Sequence, residues 1–300
     1  MTNPQIIAIR QLLLENPVIK PDATLEQMRA GMDAMGNATA PLAGVTTTQV
    51  DADGVEAYWV SANEQLNAPV VLYFHGGGYV MGSALSHRAL VERLAVAIGG
   101  RVLAVNYRLA PEHPFPAATD DALTSYRWLL KEGIEADNIA LAGDSAGGGL
   151  CIAALVAIRD AAGVPSPACA TSISPWVDME GLGESMLTKA AEDPMVQKAA
   201  LAMIAPLYLN GADPRTPLAA PLYADLSGLP PVLIQVGSAE TLLDDAKRLA
   251  AAIEQAGGQV NLEVWDEMIH VWHLFAPMLD KGQQAIDEMA KFMRSRLKQT

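Results

Sequence analysis

A serine hydroxyl becomes a useful nucleophile only when a base takes its proton and fixed donors receive the charge formed on the attacked oxygen. The sequence offers residues for each task beside strand-like segments. Gly143-Asp144-Ser145-Ala146-Gly147 follows the short apolar run Ile139-Ala140-Leu141-Ala142 and precedes the small and apolar residues 149–158. A strand that turns sharply into a helix through G-x-S-x-G holds its serine on a strained tip, with the N–H of the next residue, here Ala146, just behind it. His75-Gly76-Gly77-Gly78 follows the run Val70-Val71-Leu72-Tyr73-Phe74. Consecutive glycines let backbone N–H groups approach a ligand closely, so this loop is expected to supply a second oxyanion donor beside Ala146. It is not a phosphate loop, because neither G-x-G-x-x-G nor G-x-x-x-x-G-K is present.

Five histidines could serve as the base: His75, His87, His113, His270 and His273. His270 falls on a loop after the strand-like residues 260–264, and His273, three residues on, is its rival. His87 reads as a helix-surface residue and His113 as a loop residue with structural contacts. No two histidines have the i, i+4 spacing of a helical metal site, so no metal is expected. For the acid, Glu240 lies directly after the strand-like run 232–236. Asp244 is the alternative, but it and Asp245 fall in the first turn of the next helix, where acids suit the helix dipole without doing chemistry. The chain order is then Ser145, Glu240, His270, the serine–acid–histidine order of a nucleophile elbow and its partners.

Elements must bring these residues together. Residues 45–50 and 55–60 read as strands joined by the hairpin turn Asp51-Ala52-Asp53-Gly54. Strands and helices then alternate: strands at 70–74, 102–105, 139–142, 168–173, 232–236 and 260–264, with helices at 87–98 and 117–130 among the intervening stretches. Such alternation predicts a mostly parallel, mixed sheet of about eight strands with helices on both faces and ligands beyond the carboxyl ends of the strands. Residues 4–35 carry helical apolar periodicity broken at Asn16-Pro17. Residues 179–226 interrupt the strand rhythm, with an amphipathic helix expected at 194–208. These two stretches are expected to form a lid in two parts, 1–44 and 179–226, over a catalytic unit of 45–178 and 227–300; the alternative for the first is a pair of plain helices on the outside of the sheet. The methionines among residues 28–35 suit an adaptable apolar lining.

Composition narrows the function classes. The 300 residues are 51% hydrophobic and 18% charged, the composition of a globular protein. Acids outnumber bases 34 to 20, for a net charge of −14, which argues against nucleic acid as a partner. Cys151 and Cys169 both lie in apolar segments and read as buried free thiols of a reducing compartment, not as a disulfide framework. The first residues show no secretory signal pattern, and no apolar run approaches the roughly 20 residues needed to span a bilayer. A cytoplasmic protein without stable membrane association is expected.

With His75-Gly76-Gly77-Gly78, the stretch YRLAPEHPFPAA from Tyr107 to Ala118, GDSAGGGL from Gly143 to Leu150, and His270, the chain resembles the bacterial hormone-sensitive-lipase-like carboxylesterases. The motifs span about two thirds of it, from His75 to Trp272. The resemblance implies an α/β-hydrolase fold with a helical cap, no cofactor, a homodimer, and hydrolysis of esters with short to medium acyl chains. It makes Ser145 the nucleophile, His270 the base, and the N–H groups of Gly77, Gly78 and Ala146 the oxyanion hole. One position departs from the commonest family pattern, in which the acid is an aspartate of a D-P-L-x-D stretch; here ETLLDD places Glu240 at that point. Tyr107 to Ala118 reads as a structural, proline-pinned crossing. An amide or formamide hydrolase on the same triad is a competing reading. A non-catalytic ligand receptor of this fold is another, disfavoured by the presence of His270.

Overall fold

The computed structural model describes residues 3–17, 23–65 and 67–298. Among them, eight strands form one sheet in the order β1-β2-β4-β3-β5-β6-β7-β8. The strands are β1 (Thr46–Asp51), β2 (Glu56–Ser61), β3 (Val70–Phe74), β4 (Arg101–Val105), β5 (Ile139–Asp144), β6 (Cys169–Ile173), β7 (Val232–Gly237) and β8 (Val260–Trp265). The first two pair antiparallel to each other and β2 pairs antiparallel to β4; every other pairing is parallel. The mixed, mostly parallel sheet predicted from the alternation is the one observed.

The central strands read as unbroken apolar runs because both of their faces are covered. In β3, Val70, Leu72 and Phe74 face one core and Val71 and Tyr73 the other; in β5, Ile139 and Leu141 face the first and Ala140 and Ala142 the second. Helices α4 (Ala117–Lys131), α5 (Ala146–Asp160) and α8 (Leu243–Gln255) fill the first core, whereas α3 (Arg88–Ile98) and α9 (Asp280–Arg294) fill the second. The apolar stripe of α9, Ile286, Met289, Ala290 and Met293, has the i, i+3, i+4, i+7 spacing of an amphipathic helix.

Outside this framework lie α1 (Pro4–Glu15), α2 (Leu25–Asn37), the short α6 (Ser185–Thr188) and α7 (Lys198–Leu209). Residues 1–2 and 18–22 of the first expected lid segment lie outside the described residues. Asn3 and Thr24 cap α1 and α2, the latter with a reciprocal bond from Gln27. Ile6, Ile9 and Leu13 pack on Met268, Ile269 and Trp272. Arg29 of α2 donates to Val80 O (2.8 Å), to Ala110 O (3.0 Å) and to Glu112. The helix expected from residue 194 begins four residues later. Asp193 accepts from the N–H groups of Met195 and Val196, and this side-chain turn replaces the first helical turn.

Candidate active site

Ser145 closes β5 and opens α5 with φ 54° and ψ −120°, a backbone conformation that a non-glycine residue adopts only under constraint. The constraint comes from both sides. Its N–H donates to Ile173 O at the end of β6 (2.8 Å), and its carbonyl accepts from Gly149 of α5 (3.0 Å). The glycine of the motif after the serine is required by close approach: a Cβ on Gly147 would stand 2.1 Å from Phe74 O. The helix that begins at Ala146 directs its positive dipole end at the serine. As the first helical residue, Ala146 has an N–H with no partner inside the helix.

The histidine arrives from the neighbouring loop. β7 and β8 end side by side, and their loops are stitched together: Ser238 N–H donates to Trp265 O (2.9 Å), Ala239 N–H to Met268 O (3.0 Å). This brings Glu240 and His270 into contact. Glu240 Oε2 lies 2.7 Å from His270 Nδ1, and His270 Nε2 lies 2.9 Å from Ser145 Oγ. The second carboxylate oxygen, Oε1, accepts from Ser174 Oγ (2.9 Å) and from the N–H of Gly237. Ser174 Oγ in turn accepts from Val271 N–H (3.2 Å), so one hydroxyl braces both the acid and the histidine loop. Glu240 is wholly buried, and burial pushes its carboxyl above the usual range against the opposing pull of the imidazole and of Gly237 N–H. Burial works against a charged His270, but the hydrogen bond and charge of Glu240 outweigh it and raise the imidazole above its ordinary value. An imidazole held this way presents Nε2 to the hydroxyl and can take its proton, while the carboxylate fixes the tautomer.

The rivals stand elsewhere. His273 is buried against Gln235 Oε1 (2.8 Å), and burial pushes it down to about 3, so it is neutral. Asp244 accepts from Ser185 N–H (2.8 Å) and Asp245 from the N–H groups of Val177 and Asp178, both in the first turn of α8 as expected.

Gly77 and Gly78 follow β3 with φ of 119° and 63°; at Gly77 a Cβ would meet Met81 O at 2.1 Å. Together with Ser145 and His270 they line a cavity of about 80 Å³. Its apolar walls come from Met32 of α2, from Met195, Val196, Leu201 and Ile204 of the 179–226 stretch, and from Trp176 and Leu274. Below it, Tyr107 donates to His75 O (2.7 Å) and stacks on the His75 ring at 4.3 Å. That contact gives the stretch from Tyr107 a supporting position under the glycine loop. Among the described residues no group of acids, cysteines and histidines could hold a metal ion.

One sequence expectation is overturned. His87 is not on a helix surface: it is 1% exposed, precedes the first turn of α3, and places Nε2 3.1 Å from Asp144 Oδ2. The chain turns back beneath the serine there, and the buried carboxylate supplies the partner that makes burial of the ring possible. Asp144, Ser174 and Asp193 also escaped the sequence reading. Only the position of Asp144 inside the G-x-S-x-G pentapeptide hinted at a role.

A family model described as an alpha/beta hydrolase fold matches residues 71–274. An acetyl-hydrolase of Streptomyces hygroscopicus is 44% identical over 299 residues, covering 98% of each chain. A carboxylesterase of Mycobacterium tuberculosis is 31% identical over 282 residues, covering 90% of this chain and 82% of its own. The crystal structure of an esterase from the bacterial hormone-sensitive lipase family superposes with a TM-score of 0.95 at 46% identity, over 99% of this chain and 100% of that one. The chain belongs to the hormone-sensitive-lipase-like carboxylesterases of the α/β-hydrolase fold. In this esterase the two cysteines are free and buried. Among its described residues no helix is long and apolar enough to cross a membrane.

Proposed function

We propose that this esterase hydrolyses short- to medium-chain acyl esters through Ser145, His270 and Glu240 by way of an acyl-enzyme. The observation that carries the reading is the unbroken chain from Ser145 Oγ to His270 Nε2 (2.9 Å) and from His270 Nδ1 to Glu240 Oε2 (2.7 Å). Ser145 Oγ attacks the ester carbonyl carbon as His270 Nε2 takes the hydroxyl proton. The carbonyl oxygen, now negative, receives N–H groups of Gly77, Gly78 and Ala146, with the α5 dipole adding to them. Collapse of the tetrahedral species breaks the bond to the alcohol oxygen, which leaves with the proton from His270. Water then attacks the acyl carbon as His270 Nε2 takes its proton; collapse breaks the bond to Ser145 Oγ, which receives that proton from His270 as the carboxylic acid departs.

The preference for short chains is supported by the apolar side chains that wall the cavity at Ser145, Met32 on one side and Met195, Val196, Leu201 and Ile204 on the other. Residues 1–44 and 179–226 act in this proposal as a two-part cap, because Met32 and Met195 through Ile204 supply walls of that cavity. The buried thiols fit a reducing cytoplasm, and the open edge of β8 is the proposed contact of a homodimer. The test is Ser145→Ala. It is expected to abolish turnover of p-nitrophenyl acetate and butyrate with thermal unfolding nearly unchanged; retained turnover refutes the mechanism.

A further inference from the structure

We infer that His87 and Asp144 form a buried ion pair that positions the oxyanion donors, by locking the glycine loop after β3 onto the turn that carries Ser145. The inference rests on the assignment of Gly77 and Gly78 as those donors. Asp144 immediately precedes Ser145, and Gly76 immediately precedes Gly77. One carboxylate joins the two. Asp144 Oδ1 accepts from Gly76 N–H (3.0 Å) and from Tyr73 O–H (2.6 Å), and Oδ2 faces His87 Nε2 (3.1 Å). The approach is so close that a Cβ on Gly76 would stand 2.3 Å from Oδ2.

The charge state of His87 follows from its neighbours. Its Nδ1 lies 2.8 Å from Ser86 Oγ and 3.3 Å from Ser83 O. Ser83 O can only accept, and Ser86 Oγ can accept while its own proton goes to Ser83 O (2.8 Å). A proton on Nδ1 satisfies both. Nε2 faces a carboxylate, and Gly76 N–H, 3.3 Å from Nε2, is satisfied by the nearer Asp144 Oδ1. A proton on Nε2 satisfies the carboxylate, and with both protons His87 is the imidazolium of the inferred pair. Burial opposes that charge, and the Asp144 carboxylate outweighs it. The other groups facing the ring do not compete: Tyr73 donates to Asp144, burial holds His75 neutral at about 3, and Asp33 of α2 bonds Ser83 Oγ.

A buried pair of this kind contributes little net stability but fixes geometry, and breaking it leaves an uncompensated charge. With His87 gone, that charge is Asp144, one residue before the nucleophile and bonded to Gly76, one residue before the first donor. The loop carrying Gly77 and Gly78 would then lose its tie to the elbow. Because oxyanion donors act on the transition state and not on the ester ground state, the loss should fall on kcat rather than KM.

The experiment compares Asp144→Asn, His87→Gln and the double variant on p-nitrophenyl butyrate, with kcat normalised to active sites titrated by a serine-directed phosphonate. Each single variant is expected to lose kcat by on the order of 10²-fold, as for loss of an oxyanion donor, with KM within about threefold. A trifluoromethyl ketone, whose bound hemiketal oxygen uses the same donors, should lose affinity in parallel. The double variant, with both charges gone, should lose far less than the product of the singles. Normalised kcat and ketone affinity close to wild type in either soluble single variant, or losses that simply multiply, overturn the inference. If Asp144→Asn does not fold, His87→Gln decides alone on kcat and ketone affinity. Ser145→Ala separates the two levels: its retained turnover refutes the serine mechanism. Its inactivity beside a fully active Asp144→Asn refutes the positioning role only.

Discussion

Glu240→Gln tests the acid with almost no change of shape. The carboxylate has two sides: Oε1 receives Gly237 N–H and Ser174 O–H, and Oε2 receives His270 Nδ1. An amide has one oxygen and one NH₂, so it must choose. With the oxygen toward Gly237 and Ser174, two buried donors stay satisfied, and NH₂ faces the imidazole. Nδ1 must then accept, which moves the ring proton to Nε2, where it blocks proton transfer from Ser145. The reverse placement opposes NH₂ to Gly237 N–H and leaves that buried donor unpaired, at about 1–3 kcal/mol. The first arrangement wins, and the enzyme is held in the wrong tautomer. Such an exchange in a serine triad costs on the order of 10⁴ in kcat, or about 5.5 kcal/mol at 1.36 kcal/mol per decade. The assay is kcat on p-nitrophenyl butyrate beside a thermal melt, with Asp244→Ala as comparison. Asp244 bonds only Ser185 and nearby groups outside the cavity, so its loss should cost less than about threefold. A Glu240→Gln enzyme within tenfold of wild type, or an Asp244→Ala enzyme equally impaired, would falsify the assignment.

Two further outcomes follow from the same site. In the proposed mechanism His270 works as a neutral base, and Glu240 raises its imidazole above the ordinary value, so kcat/KM should rise with pH through a group above about 6.5. Stability runs in the opposite sense: what the raised His270 contributes is fully present below its unfolded value and lost as pH rises through the raised folded one. An inflection at or below pH 6 contradicts the geometry. In an acyl series, p-nitrophenyl acetate and butyrate should exceed the laurate by at least about tenfold in kcat/KM, since eight more methylenes would have to pass the walls that Met32, Met195 and Ile204 set around Ser145. A laurate rate equal to that of butyrate contradicts that reading of the cavity.

The framework was legible because its causes are local. Five consecutive apolar residues at Val70–Phe74 mark a strand buried on both faces, and the glycines around Ser145 mark a strand-to-helix turn whose packing tolerates no Cβ at Gly147. Since parallel strands all end on one side, residues placed just after β3, β5, β7 and β8 had to gather there. That brought Ser145, Glu240 and His270 within hydrogen-bond distance, and separated Glu240 on its loop from Asp244 on its helix. His87 had no such signal. A histidine at a helix start reads the same whether it meets water or a carboxylate. Which one it meets depends on β3 lying beside β5 in the register Phe74 opposite Gly143.

The same gap has a general cause at this end of the molecule. Its loops leave the sheet, so their N–H groups have no ladder to enter, yet a site that aims donors at an oxyanion needs those loops rigid. Buried carboxylates fill that need. Asp144 receives Gly76 N–H, Glu240 receives Gly237 N–H, Asp193 receives Thr241, Met195 and Val196, and Asp245 receives Val177 and Asp178. In three of the four, the donors lie on a segment far away in sequence or on two segments at once, so each acid ties one loop to another. Glu240 and Asp144 were marked by a strand end and by a motif, but Asp193 carries no periodicity and no neighbouring motif. In the sequence it is indistinguishable from an acid on the surface, and only the meeting of the loops gives it a function.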